Sequence, residues 1–339
     1  MILLDATYIN VGGGIGLLRR LINELRGEAE IVLLRDIRVK DLDTAGCRVI
    51  DVAPSHFSRR RFYRAHGAEF SRVLCFGNVP PPVRLAAPTV TYFHNLLFCE
   101  SYVGQAWRHR LLMAVKMAYV RHYSANTDHF LVQTGNMATA LRAAIGDRAI
   151  VDALPFFAQP RVTLAASAQR RWDQFAYVGE AHPHKNHAVL FAAWRQLLAQ
   201  GLRPGLHLTV TAAYPRVRAQ IAELQAAGAD IVNHGFAEPG PIYAQCGYQV
   251  YPSLVESFGL GLIEAAEAGC AVLASDRPYV HAVVRPHATF DPNVPAAIAQ
   301  QVARCLGQVA PASQVEVADR LPELVAWLAH GTPWRKESA

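Results

Sequence analysis

An alternation of short apolar segments with longer amphipathic ones, run through twice, narrows the fold of this chain more than any other feature. In the first half, strand-length apolar runs lie at Met1–Leu4, Glu30–Leu34, Arg48–Val52, Arg72–Phe76, Thr89–Phe93 and His129–Gln133. Helical periodicity occupies about 102–126 and 137–145. A second series begins at Gln174–Val178 and continues through His207–Thr211, Ile231–His234, Tyr248–Val250 and Ala271–Ala274. Helices are expected over 188–200, 217–227, 259–268 and 296–306. Strands alternating with helices of this length form parallel sheets with crossover helices. Two such series predict two doubly wound α/β domains facing each other across a cleft, with ligands at the carboxyl ends of the strands.

At 339 residues the chain exceeds what one hydrophobic core supports, which also argues for two domains. The expected limits are 1–158 and 159–318, with 319–339 as a tail or helix that crosses back to the first domain. The linker candidate runs from Leu154 to Asp173, a proline-bounded segment ending at Pro160 and then an irregular polar stretch. With 52% hydrophobic and 18% charged residues the chain is globular, neither disordered nor fibrous. Met1-Ile-Leu-Leu-Asp5 reads as a first buried strand, not a signal peptide. No stretch reaches the roughly 18 apolar residues a membrane span requires. The six cysteines never form a CxxC pair, so buried free thiols and a cytoplasmic location are expected.

Residues 1–160 carry 19 Lys and Arg against 13 Asp and Glu, whereas 161–339 carry 14 of each, so the excess of +6 lies in the first half. Its clearest cluster is Arg59, Arg60, Arg61 and Arg64, with Phe62 and Tyr63 between them. Arg108, Arg110, Lys116 and Arg121 form a second set with helical spacing. Such a face suits a peripheral contact with anionic membrane or with an acidic acceptor. Solvated surface is the plainer reading. No nucleic-acid motif accompanies the charge, so nucleic acid is not an expected partner.

The segment Tyr251-Pro-Ser-Leu-Val-Glu256-Ser257-Phe258-Gly259-Leu260-Gly-Leu-Ile-Glu264 carries the strongest chemical signal. A strand ends near Tyr251 and a helix opens near Gly259. The unpaired N–H groups and positive dipole at a helix start hold phosphate. Glu256 lies before the helix and Glu264 within it, so the two can reach opposite ends of a ligand whose phosphates sit between. Each carboxylate accepts two hydrogen bonds, as vicinal sugar hydroxyls require. Incidental acids on an amphipathic helix are the alternative.

The run Pro-Ser-x-x-Glu256-Ser-Phe-Gly-x-x-x-x-Glu264-Ala resembles the donor-site signature of family 4 of the retaining glycosyltransferases, of the bacterial polysaccharide and O-antigen type. Gly269-Cys-Ala-Val-Leu-Ala-Ser-Asp276 resembles the strand and loop that follow in that family. The resemblance extends from about 177 to 292 and more weakly over 1–150. It implies the GT-B fold, a nucleoside diphosphate sugar donor and no metal or other cofactor.

On that basis other segments acquire roles. In Tyr177-Val-Gly179-Glu180-Ala-His-Pro-His184-Lys185, a lysine beside a glycine turn at a strand end suits a diphosphate. The family often has arginine where Glu180 stands, a departure that leaves Lys185 and helix amides to bear the charge. Asn10-Val-Gly-Gly13-Gly14 is a poor dinucleotide fingerprint, but the resemblance implies that Gly13 and Gly14 approach the donor. His94, beside Asn95 at the end of an apolar run, has the place of a family histidine that touches the donor sugar. Thr134 is by physics a helix N-cap and by resemblance faces the cleft. Phe236 lies where the family holds the nucleobase. His182, His184 and His187 have a spacing that invites a metal, but no carboxylate or thiol completes the set. Asp41-Leu-Asp43 is read as a solvated turn.

The reading is transfer of a hexose, with retention, to a hydroxyl of a glycan or lipid-linked acceptor in envelope polysaccharide or lipopolysaccharide assembly. Glu256, His94 and Lys185 are the catalytic candidates; Glu264 is expected to bind ribose, and Ser257, Phe258, Gly259, Leu260 and Gly179 to line the donor. Two alternatives stay open: a GT-B sugar-nucleotide epimerase or phosphorylase, and a non-catalytic nucleotide-sugar-binding module.

Overall fold

A computed structural model describes residues 1–10, 13–102, 104–146, 149–157 and 170–334. Contacts divide the chain into two compact units. One takes Met1–Ser101, Ala106–Ala158 and Ala318–Ala339, and the other Tyr102–Gln105 and Gln159–Val317. The boundary expected at 158/159 falls within 158–169, outside the described residues.

The first unit contains β1 (Ile2–Ala6), α1 (Gly13–Leu25), β2 (Ile31–Asp36), β3 (Cys47–Val52), α2 (His56–His66), β4 (Arg72–Cys75), β5 (Thr89–Tyr92), α3 (Trp107–Tyr123), β6 (His129–Val132), α4 (Gly135–Ile145) and β7 (Ile150–Ala153). Its strands form one parallel sheet in the order β3-β2-β1-β4-β5-β6-β7. Direction along the sheet reverses between β1 and β4, and a crevice opens at such a point beyond the carboxyl ends of the strands. Leu3, Leu4, Leu33, Leu34 and Leu74 are fully buried, as strands covered on both faces require.

The second unit contains β8 (Arg171–Tyr177), α5 (His187–Ala199), β9 (Gly205–Leu208), α6 (Pro215–Ala226), β10 (Ile231–Asn233), α7 (Pro239–Gln245), β11 (Cys246–Tyr251), α8 (Leu260–Glu267), β12 (Ala271–Ser275), α9 (Pro278–His281), β13 (Val284–Arg285), β14 (Ala288–Phe290), α10 (Pro295–Cys305) and β15 (Gln314–Val315). The parallel order β10-β9-β8-β11-β12-β14 reverses between β8 and β11, and β13 pairs antiparallel with β15. After β15 the chain forms α11 (Leu321–His330), which belongs to the first unit. There Leu321, Leu324, Trp327 and Leu328 join the core of α1 and β1. Arg72 donates from Nε and Nη2 to the carbonyls of Leu328 (2.7 Å) and Ala329 (2.8 Å), completing the end of this helix.

Several expectations are corrected. The helix expected from 102 begins at Trp107, because Gly104 takes φ +83° and Ala106 is extended at ψ 135°. The basic cluster at 59–64, read only as charge, lies on α2, which Ser55 caps by accepting from Ser58 N at 3.1 Å. The proposed linker is shorter than 154–173. Leu154, Phe156 and Phe157 are buried in the first unit, and 171–173 already belong to β8. Among the described residues all six cysteines are free, and no helix is long and apolar enough to cross a membrane.

Candidate functional site

In the second unit the candidate residues gather where β8 and β11 end, at the reversal of strand order. Lys185 Nζ donates to Glu256 Oε1 at 2.6 Å and to Tyr251 Oη at 3.3 Å, and Tyr251 Oη donates to the same carboxylate oxygen at 3.1 Å. The ammonium also lies over the Tyr251 ring, 5.4 Å from its centre. Lys185 and Glu256 are only 16% and 12% exposed. Burial alone disfavours both charges. Each partner overrides that: the ammonium is held above its ordinary pKa by Glu256, and the carboxyl below its own by Lys185 and then His184.

The two loops are stitched together beneath this pair. Leu254 N donates to the His184 carbonyl (2.8 Å), and Asn186 Nδ2 donates to the carbonyls of Pro252 (3.1 Å) and Pro292 (2.7 Å). Tyr177 Oη donates to the Lys185 carbonyl (2.7 Å) and pairs with Ser253 Oγ (3.0 Å). Tyr279 Oη donates to the Ser253 carbonyl at 2.8 Å. Buried hydroxyl and amide groups therefore hold the backbone of both loops, leaving Lys185 and Glu256 little freedom to move. Motif reading missed Tyr177, Asn186, Tyr251 and Tyr279 as supports, although an apolar strand that ends in tyrosine was a visible signal.

Gly259 forms the start of α8 at φ +82°, a conformation that costs a side chain about 1 kcal/mol. A Cβ there would also lie 3.0 Å from Leu262 Cδ1. Phe258 is buried and Leu260 is the first helical residue, so the first turn of α8 begins four residues after Glu256. Glu264 lies farther along α8. Burial raises its pKa to about 7; Lys185 opposes this, and Glu267 and Glu238 add to it. Gly179 leaves β8 with its N–H donated to Thr209 Oγ1 at 2.9 Å, and a Cβ there would approach Lys185 at 3.9 Å. Glu180 is exposed and interacts with Tyr214, whereas Phe236 is exposed on the loop after β10.

In the first unit a second group lies where β1, β4 and β5 end. The His94 N–H donates to Asn78 Oδ1 at 2.7 Å, and its Nε2 lies 3.2 Å from the Phe76 carbonyl, which can only accept. The ring stacks on Phe76 at 5.4 Å. Burial, only partly offset by the Phe76 carbonyl, lowers its pKa to about 4, so His94 is a neutral imidazole at ordinary pH. Gly14 is packed beside it, because a Cβ there would stand 3.3 Å from His94 Cε1. Gly13 opens α1 with open space around it. Asn95 accepts from Leu97 N (3.2 Å) and Thr134 from Met137 N (3.2 Å), so both act as helix caps.

The expectation for Arg59 is overturned. Arg59, Phe62 and Tyr63 share the inward face of α2, and Arg59 is 1% exposed. Its Nε and Nη2 donate to Asp5 Oδ2 at 2.9 and 2.7 Å, its Nη1 donates to the Pro80 carbonyl, and Tyr63 Oη also donates to Asp5 at 2.7 Å. It is an interior cation paired with Asp5, not part of a membrane or acceptor surface. Arg60, Arg61 and Arg64 remain exposed. His182 and His184 stack on each other, and His187 is buried against Tyr177. Among the described residues no three His, Cys, Asp or Glu side chains converge as metal ligands do.

Residues 173–308, which include every donor-side candidate of the second unit, match the family model for Glycosyl transferases group 1. No curated protein matches the chain by sequence. HepE of Anabaena, solved in complex with UDP and glucose, is 15% identical with a TM-score of 0.65, over 96% of this chain and 95% of that one. Sucrose-phosphate synthase of Thermosynechococcus elongatus is 18% identical with a TM-score of 0.69, over 97% and 94%. The apo lipopolysaccharide outer core galactosyltransferase WaaB is 14% identical with a TM-score of 0.60, over 96% and 94%. The chain has the GT-B fold.

Proposed function

We infer that this protein is a retaining glycosyltransferase. It moves a hexose from a nucleoside diphosphate sugar to a hydroxyl of a glycan or lipid-linked acceptor, in the cytoplasm, during assembly of cell-envelope polysaccharide. The observation that carries the reading is the Lys185–Glu256 ion pair, 2.6 Å long, held beside the left-handed start of α8 at Gly259. A buried ammonium and a fresh set of helix amides make a site for a leaving diphosphate.

In this reading the bond from the anomeric carbon to the diphosphate breaks as the bond to the acceptor oxygen forms on the same face. The acceptor proton passes to the departing phosphate oxygen. Lys185 and the amides of Phe258–Leu260 stabilise the charge that develops on the diphosphate. Glu264 accepts from the ribose hydroxyls and Glu256 from the hexose. Neither a metal nor a covalent nucleophile is invoked. The UDP bound by HepE and the lipopolysaccharide substrate class of WaaB support a nucleotide donor and an envelope acceptor.

A thermal-shift panel of UDP, GDP, dTDP and CMP tests the donor site, because a ligand that binds only the folded state raises the melting point. One nucleoside diphosphate should shift it. The matching sugar nucleotide, incubated with candidate acceptors and followed by mass detection, should give a glycosylated acceptor. Binding without turnover on any acceptor, or release of free sugar or epimer alone, would overturn the reading.

A further inference from the structure

We propose that helices α2 and α3 form a docking face for an anionic phospholipid bilayer, seated by one apolar stripe and by the cations that flank it. The inference rests on the surface of the first unit alone and does not depend on the sugar-transfer reading.

The buried face of α3 is narrow. Met113, Met117 and Val120 anchor the helix to the unit. On the opposite side Trp107, Leu111 and Val115 follow one another at intervals of four residues, and all are well exposed, Trp107 by 68%. Ala114 and Ala118 lie on the same stripe, and Leu112 is exposed at its margin. On α2 Phe57 is 80% exposed. The two helices touch, because His56 Nδ1 lies 2.9 Å from Tyr119 Oη and its ring packs on Tyr123. Exposed large apolar side chains arranged as a continuous stripe mark an interaction surface, not ordinary scatter.

Charge identifies the partner. No Asp or Glu occurs between Asp51 and Glu69 or between Glu100 and Asp128, the stretches that contain α2 and α3. At about 100° per residue, Arg110 and Arg121 fall on one side of the α3 stripe and Arg108 and Lys116 on the other. Arg60, Arg61 and Arg64 are exposed on α2. Trp and Leu between two rows of Lys and Arg is the pattern of helices that lie in the headgroup layer. There the long cationic side chains reach the phosphates while the apolar centre enters the acyl boundary. Nucleic acid would use the cations but leave Leu111 and Val115 without a role. A protein partner would need a matching acidic surface around an apolar centre, whereas a bilayer supplies both at once.

The placement fits a lipid-borne substrate. α3 joins the parallel neighbours β5 and β6, so it begins at the carboxyl edge of the sheet, where His94 and Gly14 lie. Trp107, at the start of the helix, is therefore on the edge of the unit that carries the candidate residues.

Sedimentation with vesicles tests the proposal. The full chain should pellet with phosphatidylcholine vesicles that contain about a third phosphatidylglycerol, and not with phosphatidylcholine alone. Trp107→Ser, Leu111→Ser and Val115→Ser combined should weaken binding at least about tenfold without changing the melting point, because all three are exposed. Arg60→Glu, Arg61→Glu and Arg64→Glu combined should weaken it in a salt-dependent way. Trp107 emission should shift to the blue with anionic vesicles. Absence of binding by the full chain overturns the proposal. So does undiminished binding by the serine variant, which would indicate polyanion attraction only. Loss of binding by the serine variant together with its melting transition would be resolved by Leu111→Ser alone, which should fold and bind less; equal binding by that variant overturns the proposal as well.

Discussion

Lys185 Nζ and Glu256 Oε1 meet at 2.6 Å although 71 residues separate them in the chain. Strand topology brings them together: β8 and β11 are parallel neighbours, so the loops that leave their carboxyl ends share one edge. The pair is internally neutral, which lets the ammonium remain charged while mostly shielded from water. A diphosphate arriving at α8 would share Lys185 with Glu256 and find its position already set. Preorganisation of this kind lowers the cost of binding and of charge development.

Lys185→Ala and Glu256→Ala should each reduce turnover at least about tenfold, roughly 1.4 kcal/mol of barrier. Each should also lose stability, up to about 3 kcal/mol, because the remaining charge loses its partner in a shielded place. The double variant Lys185→Ala/Glu256→Ala should lose less stability than the two single losses combined and recover none of the activity. Urea unfolding of the four proteins reads the coupling. Strictly additive losses would show that the two side chains do not act together.

Glu264 carries a pH prediction. Its folded pKa of about 7 stands above its ordinary value of 4.5, so its contribution to stability is complete below 4.5 and is lost as pH rises through 7. Glu264→Gln should therefore gain relative to the native chain between about pH 5 and 7, by an amount on the order of 2 kcal/mol. Ribose hydroxyls would donate to the ionised form, so nucleotide binding should release a proton near pH 6.5 and tighten toward pH 8. Calorimetry in two buffers of different ionisation enthalpy measures that release. Buffer-independent heats would remove Glu264 from the ligand.

Gly259→Ala should cost at least about 1 kcal/mol in urea unfolding, because φ is +82° and the new Cβ meets Leu262. The nucleotide-induced thermal shift should shrink by more than the stability change explains, since residue 259 opens the helix start proposed to hold the phosphate. A variant with normal nucleotide response would place the phosphate elsewhere.

Arg59→Ala should destabilise by about 3–5 kcal/mol, the cost of leaving Asp5 buried without its cation. Arg60→Ala should stay within about 0.5 kcal/mol, as exposed substitutions do. Chemical unfolding of the two neighbouring variants separates them. Equal, small effects would contradict the interior pairing of Arg59.

The strands were legible because an apolar run of strand length is a local signal, and most observed ranges agree within a residue or two. β7, β13, β14 and β15 were not: Ile150–Ala153 is short and includes Asp152, and the other three have only two or three residues each. Charge misled at α2. Four arginines in six residues look alike in a list, but only position 59 falls on the face shared with Phe62 and Tyr63. Lys185, Glu256 and Glu264 were each singled out from local chemistry: a glycine turn, a helix start, a carboxylate at a strand end. Their differences were not. Glu256 is held ionised by Lys185, whereas Glu264 is pushed toward protonation by burial.

By itself the sequence determined the two α/β series, the strand ends that carry chemistry and the residue types available there, because hydrophobic period and turn chemistry act over a few residues. Only the tertiary structure decided which strand lies beside which, and hence that Lys185 pairs with Glu256, that Asp5 receives Arg59 and that Trp107, Leu111 and Val115 remain uncovered. Those outcomes depend on burial and distance between residues far apart in the chain, and no local pattern encodes either one.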